Sequence, residues 1–411
     1  MSAQDVLLDV GLILLAGVVS TPIAVLLRLP VMVVLLAAGI VIGPSVADFV
    51  DTPVDGLGAQ RVFTLGVSLI LFHGGLGISL RVISRTAVGL GLLVFPGVMI
   101  TALIVALVAM PVFSLSFSVA LLVGASLAAT DPAILIPLFD RLGLRPKVSQ
   151  TVIAESAAND PIATVLALTV AGVVGAGTVD GTEPLWDFSQ SLALGAVLGL
   201  GAGVVLALML SSSAVGIWRE SPATAILAVV ALTYFATDEL GGSAYLAAFL
   251  MGVIVGNMEH LGLGRHPDHK RELDTFMSQT AEIAVLAVFV TLGINLPLDA
   301  LWDNLWGGLV VMAVFLFVAR PVTVLACLLP DRRGKWTREE LVFLSWCRET
   351  GVVPAAIAGV LLAREVEGAE IVSAMVALAV VTTLLLQATT AGALARRLGL
   401  IETPEYVGAD R

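Results

Sequence analysis

Thirteen apolar runs divide the sequence, and their length constrains the fold more than any other feature. They begin near residues 6, 31, 60, 85, 115, 148, 187, 222, 243, 276, 305, 340 and 368. Runs of about 18 to 25 apolar residues are long enough to cross a bilayer as helices, although the run near 243 is short. With 58% hydrophobic and only 13% charged residues, the chain cannot be a water-soluble globular domain. The sequence predicts an all-α membrane protein with about 13 transmembrane helices.

Charged residues in the loops predict the orientation of these helices. Of the 21 basic residues, 17 lie in the odd-numbered loops and the C-terminal tail, whereas the even-numbered loops hold only Arg61 and Arg364. Because Lys and Arg accumulate on the cytoplasmic side, the N-terminus is expected outside and the C-terminus in the cytoplasm. The first run lacks the basic start and small-residue cleavage site of a signal peptide, so we expect it to be retained. These features predict a multi-pass protein of the cell membrane.

The net charge of −11 has an uneven predicted distribution. The outer side would carry 15 acidic residues against 2 basic ones, whereas the cytoplasmic side would be net positive. The outer excess could raise the local cation concentration, or it could reflect a salty exterior. Two cysteines, Cys327 and Cys347, are too few for a disulfide framework or a zinc site.

Two short segments recur at nearly one offset. LGISL at 76–80 matches LGINL at 292–296, and GIVIG at 39–43 matches GVIVG at 252–256. The pattern predicts a first six-helix repeat over 1–178, a linking helix over 187–211, a second repeat over 222–396 and a short tail over 397–411. Partner helices are seven spans apart, and this odd offset would invert the second repeat, as in secondary transporters whose broken helices cross near the midplane. Chance recurrence of glycine is the alternative.

Corresponding runs of the two repeats contain helix-breaking sequences. The fifth run reads Ala-Thr-Asp-Pro at 129–132, and the twelfth carries Arg348 and Glu349 shortly before Pro354. Proline lacks a backbone donor and frees the carbonyl one turn earlier, which could then ligate a cation. Interruptions at equivalent positions in both halves indicate a transport site.

The sixth run concentrates oxygen-bearing side chains on one helical face. Helical periodicity stacks Glu155 with Asn159 and Ser156 with Asp160. Hard cations such as Na⁺ require several oxygen ligands, which carboxylate, hydroxyl, amide and freed carbonyl groups supply. Burial disfavours the charged form of a carboxylate, so protons and cations would compete for it.

The intramembrane acidic residues also have structural interpretations. Asp131 could cap the N-terminus of a half-helix. Glu155 requires a cationic partner at low dielectric, for which Arg320 is one of two intramembrane candidates. Asp160 could form a second buried ion pair with Arg348.

The uncharged candidates have alternatives of their own. Thr130 and Ser156 could bond back to a carbonyl of their own helix instead of binding an ion. His73, in the glycine-rich third run, is a candidate pH sensor, or a neutral histidine held by a hydrogen bond within a helix packing.

The pairing of Ala-Thr-Asp-Pro at 129–132 with Glu-Ser-x-x-Asn-Asp-Pro at 155–161 resembles the cation:proton antiporter family, specifically its electroneutral NhaP-like branch of Na⁺/H⁺ exchangers. The resemblance extends over the whole chain. It implies an elevator-type transporter in the lipid bilayer, usually a homodimer, that exchanges one monovalent cation for one proton. It implies no cofactor beyond the transported ions and no nucleic-acid partner.

The resemblance also implies roles for individual residues. Asp160 would bind either the cation or the proton, and the cation site would be completed by Asp131, Ser156 and the Thr130 carbonyl. Glu155 and Arg320 would form a structural ion pair beside Asn159. Relatives with an aspartate at the position of Asn159 are electrogenic, so the asparagine implies electroneutral exchange.

Two positions depart from the family pattern. His73 stands where relatives often carry an acidic residue, which bears on ion preference and pH response. The family arginine of the twelfth span usually lies immediately before the Gly-Val-Val-Pro run, but here Thr350 takes that place. Arg348 lies two positions earlier, beside Glu349, and its role is open.

Four functions remain to be compared. Na⁺/H⁺ antiport leads, followed by K⁺/H⁺ antiport through the same mechanism. A cation channel would use the same carboxylates but would pass voltage-driven current. An intramembrane aspartyl protease also needs two aspartates, but neither Asp131 nor Asp160 lies in a Gly-x-Gly-Asp context.

Overall fold

The computed structural model describes residues 3–50, 57–130, 139, 142–176, 183–212, 216–218, 220–264 and 267–401. Nearly all of these residues are helical, and the one β-bridge among them joins Leu144 to Ile401. Seven of the described helices are long and apolar enough to cross a membrane, and five shorter apolar helices accompany them. The prediction of an all-α membrane protein is therefore confirmed.

The first part of the chain forms seven described helices. They are α1 (Ala3–Leu27), α2 (Val31–Ile42), α3 (Leu57–Leu76), α4 (Leu80–Val94), α5 (Pro96–Phe113), α6 (Phe117–Leu127) and α7 (Pro146–Ala176). Helices α4 and α5 are nearly continuous, because only Phe95 separates them and Pro96 begins the second helix without needing a donor.

The second part follows a similar order. It contains α8 (Glu183–Leu210), α9 (Pro222–Glu239), α10 (Ala244–Gly256), α11 (Pro267–Ile294), α12 (Leu298–Asp303), α13 (Leu305–Val314), α14 (Arg320–Leu328), α15 (Arg338–Trp346), α16 (Val352–Ala363), α17 (Ala369–Thr383) and α18 (Thr389–Arg397). Single π-helical turns, Phe315–Ala319 and Leu384–Ala388, join α13 to α14 and α17 to α18.

The predicted run starts agree with observed helix starts to within a few residues in nearly every case. The exception is the run near 276, whose helix α11 begins earlier, at Pro267. Charged and polar residues open α11, so hydropathy alone placed its start too late.

The recurring glycine segments meet in two equivalent helix crossings. A Cβ on Gly39 of α2 would lie 2.2 Å from the Val290 carbonyl of α11, and one on Gly252 of α10 would lie 2.1 Å from the Phe72 carbonyl of α3. Small residues let membrane helices approach this closely. One glycine helix from the first part of the chain and one from the second part thus each pack closely against a helix of the other part.

Gly74 and Gly75 provide a matched test of this packing. A Cβ on Gly75 would lie 2.3 Å from the Phe249 carbonyl, whereas one on Gly74 would meet no atom within 4 Å. We expect Gly75→Ala to destabilise the protein by about 1–3 kcal/mol, because backbone must move. Gly74→Ala should be neutral or stabilising by up to about 1 kcal/mol. Thermal unfolding in detergent compares the two, and equal shifts would contradict the crossing.

Candidate ion-binding site

Two interrupted helices approach each other at the site. Helix α6 ends at Leu127, and residues 128–130 leave the helix. Helix α15 starts with a capping box between Thr337 and Glu340 and ends at Trp346, after which 347–351 are irregular. Helix α16 then begins with Pro354 in its first turn, where proline is tolerated. The break expected in the twelfth run is thus present; in the fifth run the helix ends at Leu127, and the expected break at Asp131 and Pro132 falls outside the described residues.

Helix α7 presents its polar face to the first break. Glu155, Ser156, Asn159 and Asp160 are all buried, and Asp160 is 8% exposed. The helix continues through Pro161, which has no N–H to donate to the carbonyl one turn earlier. The spacing of these four residues therefore places their side chains together, as the helical period requires.

Thr130 links the first break to α7. Its backbone N–H donates to Asp160 Oδ1 at 3.0 Å. Its hydroxyl lies 3.0 Å from Ser156 Oγ and accepts from Asn159 Nδ2 at 3.0 Å. Three of the predicted site residues thus surround Thr130, and the Asp160 carboxylate holds the peptide that follows α6.

Glu155 and Arg320 form a buried, bidentate ion pair. Arg320 Nη1 and Nη2 donate to the two carboxylate oxygens of Glu155, the second at 2.9 Å. Arg320 Nε donates to the Leu344 carbonyl at 2.9 Å, and Nη2 also reaches the Cys347 carbonyl at 3.3 Å. The guanidinium therefore joins α7 to the end of α15 and satisfies carbonyls at the second break.

Arg348 connects the two breaks directly. Its Nη2 donates to the Ala128 carbonyl, and Nη1 lies 3.4 Å from Thr101 Oγ1. The guanidinium also lies 5.4 Å from the centroid of the Phe315 ring. A cation at the C-terminal end of α6 complements the helix dipole. Arg348 thus stabilises the broken end of α6.

One supporting contact was missed in the sequence. Thr101 of α5 and Thr323 of α14 share a buried hydrogen bond of 2.9 Å, and Thr101 meets Arg348 as well. Threonines inside membrane helices usually bond to their own backbone, so no sequence signal distinguishes this pair.

A small cavity of about 10 Å³ lies between these elements. It is lined by Thr130, Val152, Glu155, Ser156, Arg320, Cys347, Arg348 and Glu349. Its volume is near the lower limit for one water-sized particle. The buried charged residues around it, Glu155, Asp160, Glu349, Arg320 and Arg348, number three acids and two bases. Among the described residues, the site thus holds more acidic than basic side chains, a composition that suits a cation or a proton.

Two predicted residues lie apart from this description. Asp131 falls outside the described residues. His73 lies on α3, where it interacts electrostatically with Asp274 of α11, and it is not among the residues that line the small cavity. The structure therefore brings together eight of the ten predicted residues: Thr130, Glu155, Ser156, Asn159, Asp160, Arg320, Arg348 and Glu349.

A larger cavity of about 550 Å³ lies farther along α7. Its lining includes Thr169 of α7, Asp187 of α8, Asp238 of α9 and Arg364 after α16. Thr169 is nine residues beyond Asp160, which corresponds to about 13.5 Å along a helix. The predicted sidedness places this vestibule, the 550 Å³ cavity, toward the outside.

The whole helical array matches a known family. The model of the transmembrane sodium/hydrogen exchanger family covers residues 11–397. The chain belongs to this family. As a sodium/hydrogen exchanger family member it is a cation/proton antiporter by class, a secondary transporter and not an enzyme. The predicted resemblance to this family is confirmed.

Characterised relatives differ in the cation they are named for. The chain is 30% identical to the K⁺/H⁺ antiporter NhaP2 of Shewanella sp. strain MR-4, over 96% of the chain and 67% of that protein. It is 28% identical to the K⁺/H⁺ antiporter NhaP of Alkalimonas amylolytica, of which it spans only 59%. It is also 30% identical to Na⁺/H⁺ antiporter 1 of Methanocaldococcus jannaschii, over 85% of the chain and 81% of that protein.

The fold agrees with that of a solved family member. The sodium proton antiporter MjNhaP1 of M. jannaschii at pH 8 superposes with a TM-score of 0.85 and 26% identity. The match covers 97% of this chain and 99% of that structure. The helical arrangement of this sodium/hydrogen exchanger family member is therefore that of an NhaP-type antiporter.

Proposed function

We propose that this protein exchanges Na⁺ or Li⁺ for H⁺ with no net charge movement, with Asp160 as the carboxylate that both ions share. The observation that carries the proposal is the contact of Asp160 and Ser156 with Thr130 at the break after α6. There, carboxylate and hydroxyl oxygens converge beside the non-helical backbone of residues 128–130 in a buried site, which suits a hard monovalent cation. We propose Asp131 as a further ligand.

The exchange follows from competition at one buried carboxylate. A buried negative charge is costly at low dielectric, so either a cation or a proton at the Asp160 carboxylate offsets its desolvation cost. Because Asn159 is neutral, Asp160 is the one titrating member of the Asn-Asp pair. In each cycle one monovalent cation crosses the membrane in one direction and one proton crosses in the other, so no net charge moves.

K⁺/H⁺ exchange by the same mechanism is the second candidate. It is favoured by the names of the relatives from Shewanella and Alkalimonas. It differs from the first candidate only in the cation that Asp160 would share with the proton, and the exchange assay below compares the two cations directly. A cation channel is a more distant alternative.

We further propose an elevator-type movement in a homodimer, with the N-terminus outside and the C-terminus in the cytoplasm of a plasma-membrane protein. Asp187 and Asp238 in the vestibule would concentrate cations on the outer side. The site would then receive its cation alternately from the vestibule and from the cytoplasmic side.

Proteoliposomes with an internal pH dye test the proposal. With an imposed proton gradient, external Na⁺ and Li⁺ should change the internal pH faster than K⁺ does at equal concentration. The apparent affinity for Na⁺ should weaken as pH falls, because protons then occupy Asp160. A faster response to K⁺ would establish the second candidate.

The same vesicles distinguish an exchanger from a channel. An imposed membrane potential should leave the exchange rate unchanged, because no net charge crosses. Protein-free vesicles and vesicles without a proton gradient serve as controls. A current that follows voltage would contradict electroneutral exchange and favour the channel.

A further inference from the structure

An apolar groove runs along the outer face of three helices near the second break. It has a volume of about 850 Å³ and lies between α14, α15 and α18. Most of its lining is apolar: Leu316, Phe317, Pro321, Leu325, Leu341, Val342, Trp346, Ala393 and Leu394. Phe317 and Trp346 lie side by side in it, with ring centroids 5.9 Å apart and ring planes tilted by 45°. A groove of this size and polarity suits hydrocarbon chains.

One end of the groove is strongly basic. Arg338 begins α15 and Arg397 ends α18, and both exposed arginines line the groove. The opposite ends of these helices are joined by a hydrogen bond of 2.8 Å from Trp346 Nε1 to Thr390 Oγ1. Arg338 and Arg397 each lie about two helical turns from this bond along their own helices and line the same groove, which places both guanidiniums away from Trp346.

An apolar groove that also carries two arginines suits an amphiphilic ligand. From Arg338 to Trp346 the helix extends about 12 Å, enough for much of an acyl chain to lie beside it. Two neighbouring guanidiniums repel each other and bind a phosphate through paired hydrogen bonds. A zwitterionic headgroup would bring its own cation toward them, whereas an anionic headgroup would not. Basic pockets between membrane helices on the cytoplasmic side bind anionic headgroups in this way.

We propose that the groove binds one anionic phospholipid, with its phosphate between Arg338 and Arg397 and an acyl chain reaching Phe317 and Trp346. The loop charges predict that this lipid belongs to the cytoplasmic leaflet. The acyl chain would cover the outer face of α15. Near the other end of this helix lie Leu344 and Cys347, whose carbonyls accept hydrogen bonds from Arg320. The lipid thus stabilises the helix that leads into the second break, and the proposal holds whichever cation is transported.

Fluorescence quenching tests the binding directly. The full-length protein is reconstituted in phosphatidylcholine vesicles that contain increasing fractions of brominated phosphatidylglycerol or brominated phosphatidylcholine. The Trp346 signal is the difference between wild type and Trp346→Phe. Half-quenching of Trp346 should require about tenfold less brominated phosphatidylglycerol than brominated phosphatidylcholine, because two arginines favour the anionic headgroup.

Two double variants of equal charge change decide the assignment. Arg338→Gln with Arg397→Gln should bring the two lipids to nearly equal quenching. Arg332→Gln with Arg333→Gln removes two exposed arginines that do not line the groove, and it should keep the tenfold preference. Ala393→Phe, which fills the groove, should weaken quenching by both lipids. Equal quenching in wild type, or a preference that survives the loss of Arg338 and Arg397, would overturn the proposal.

Discussion

Asp160→Asn is expected to abolish cation/proton exchange in proteoliposomes, reducing it to the level of protein-free vesicles at every pH. The amide has nearly the same shape as the carboxylate, and its oxygen can still accept from the Thr130 N–H. It carries no charge, however, so it neither balances a bound cation nor releases a proton. The variant should fold, because removing a buried charge relieves its desolvation cost.

Ligand-induced stabilisation separates loss of binding from loss of movement. Na⁺ should raise the unfolding temperature of the wild type, since a bound ion at 100 times its dissociation constant contributes about 2.7 kcal/mol. In Asp160→Asn this Na⁺-dependent rise should disappear. Asp160→Glu keeps a carboxylate but displaces it by one methylene, so it should retain weakened exchange.

A control acid lies in the vestibule. Asp238 is exposed there and is not among the residues that line the small cavity. Asp238→Asn should weaken the apparent affinity for Na⁺ a few-fold at low ionic strength and have little effect at high salt, because screening removes long-range attraction. Exchange that persists in Asp160→Asn but is lost in Asp238→Asn would refute the assignment of Asp160.

The sequence was sufficient for features that depend on local periodicity. Apolar runs long enough to span a bilayer predicted the helices, and the helical period placed Glu155, Ser156, Asn159 and Asp160 on one face of α7. Pro354 and the charged pair before it predicted the break between α15 and α16. These features follow from neighbours within a few turns, which a single sequence displays.

Features that depend on distant contacts were not accessible in this way. The sequence offered two intramembrane arginines for Glu155, and only the packing of α14 beside α15, from which Arg320 reaches Glu155, selects Arg320. Arg348 binds a carbonyl 220 residues away, and a carbonyl has no signature in the sequence. The groove of Arg338 and Arg397 likewise requires three helices to meet.

Glu155→Gln is expected to destabilise the protein strongly, by about 3–5 kcal/mol, because it leaves the Arg320 guanidinium buried without its counter-charge. Arg320 is 1% exposed, so water cannot replace the lost carboxylate. The measurement is the unfolding temperature in detergent, together with the yield of folded protein. Arg320→Met should have an effect of similar size, since it leaves Glu155 as the unpaired charge.

The double variant Glu155→Leu with Arg320→Met distinguishes a structural role from an ion-handling one. Removing both charges together leaves no buried ion without a counter-charge. The double variant should therefore be more stable than either single variant and closer to wild type. Recovery should be incomplete, because the Leu344 and Cys347 carbonyls lose their donor. Exchange in this variant should return in part, in proportion to the folded protein recovered. If Glu155→Gln left stability unchanged but abolished exchange, Glu155 would instead belong to the ion pathway.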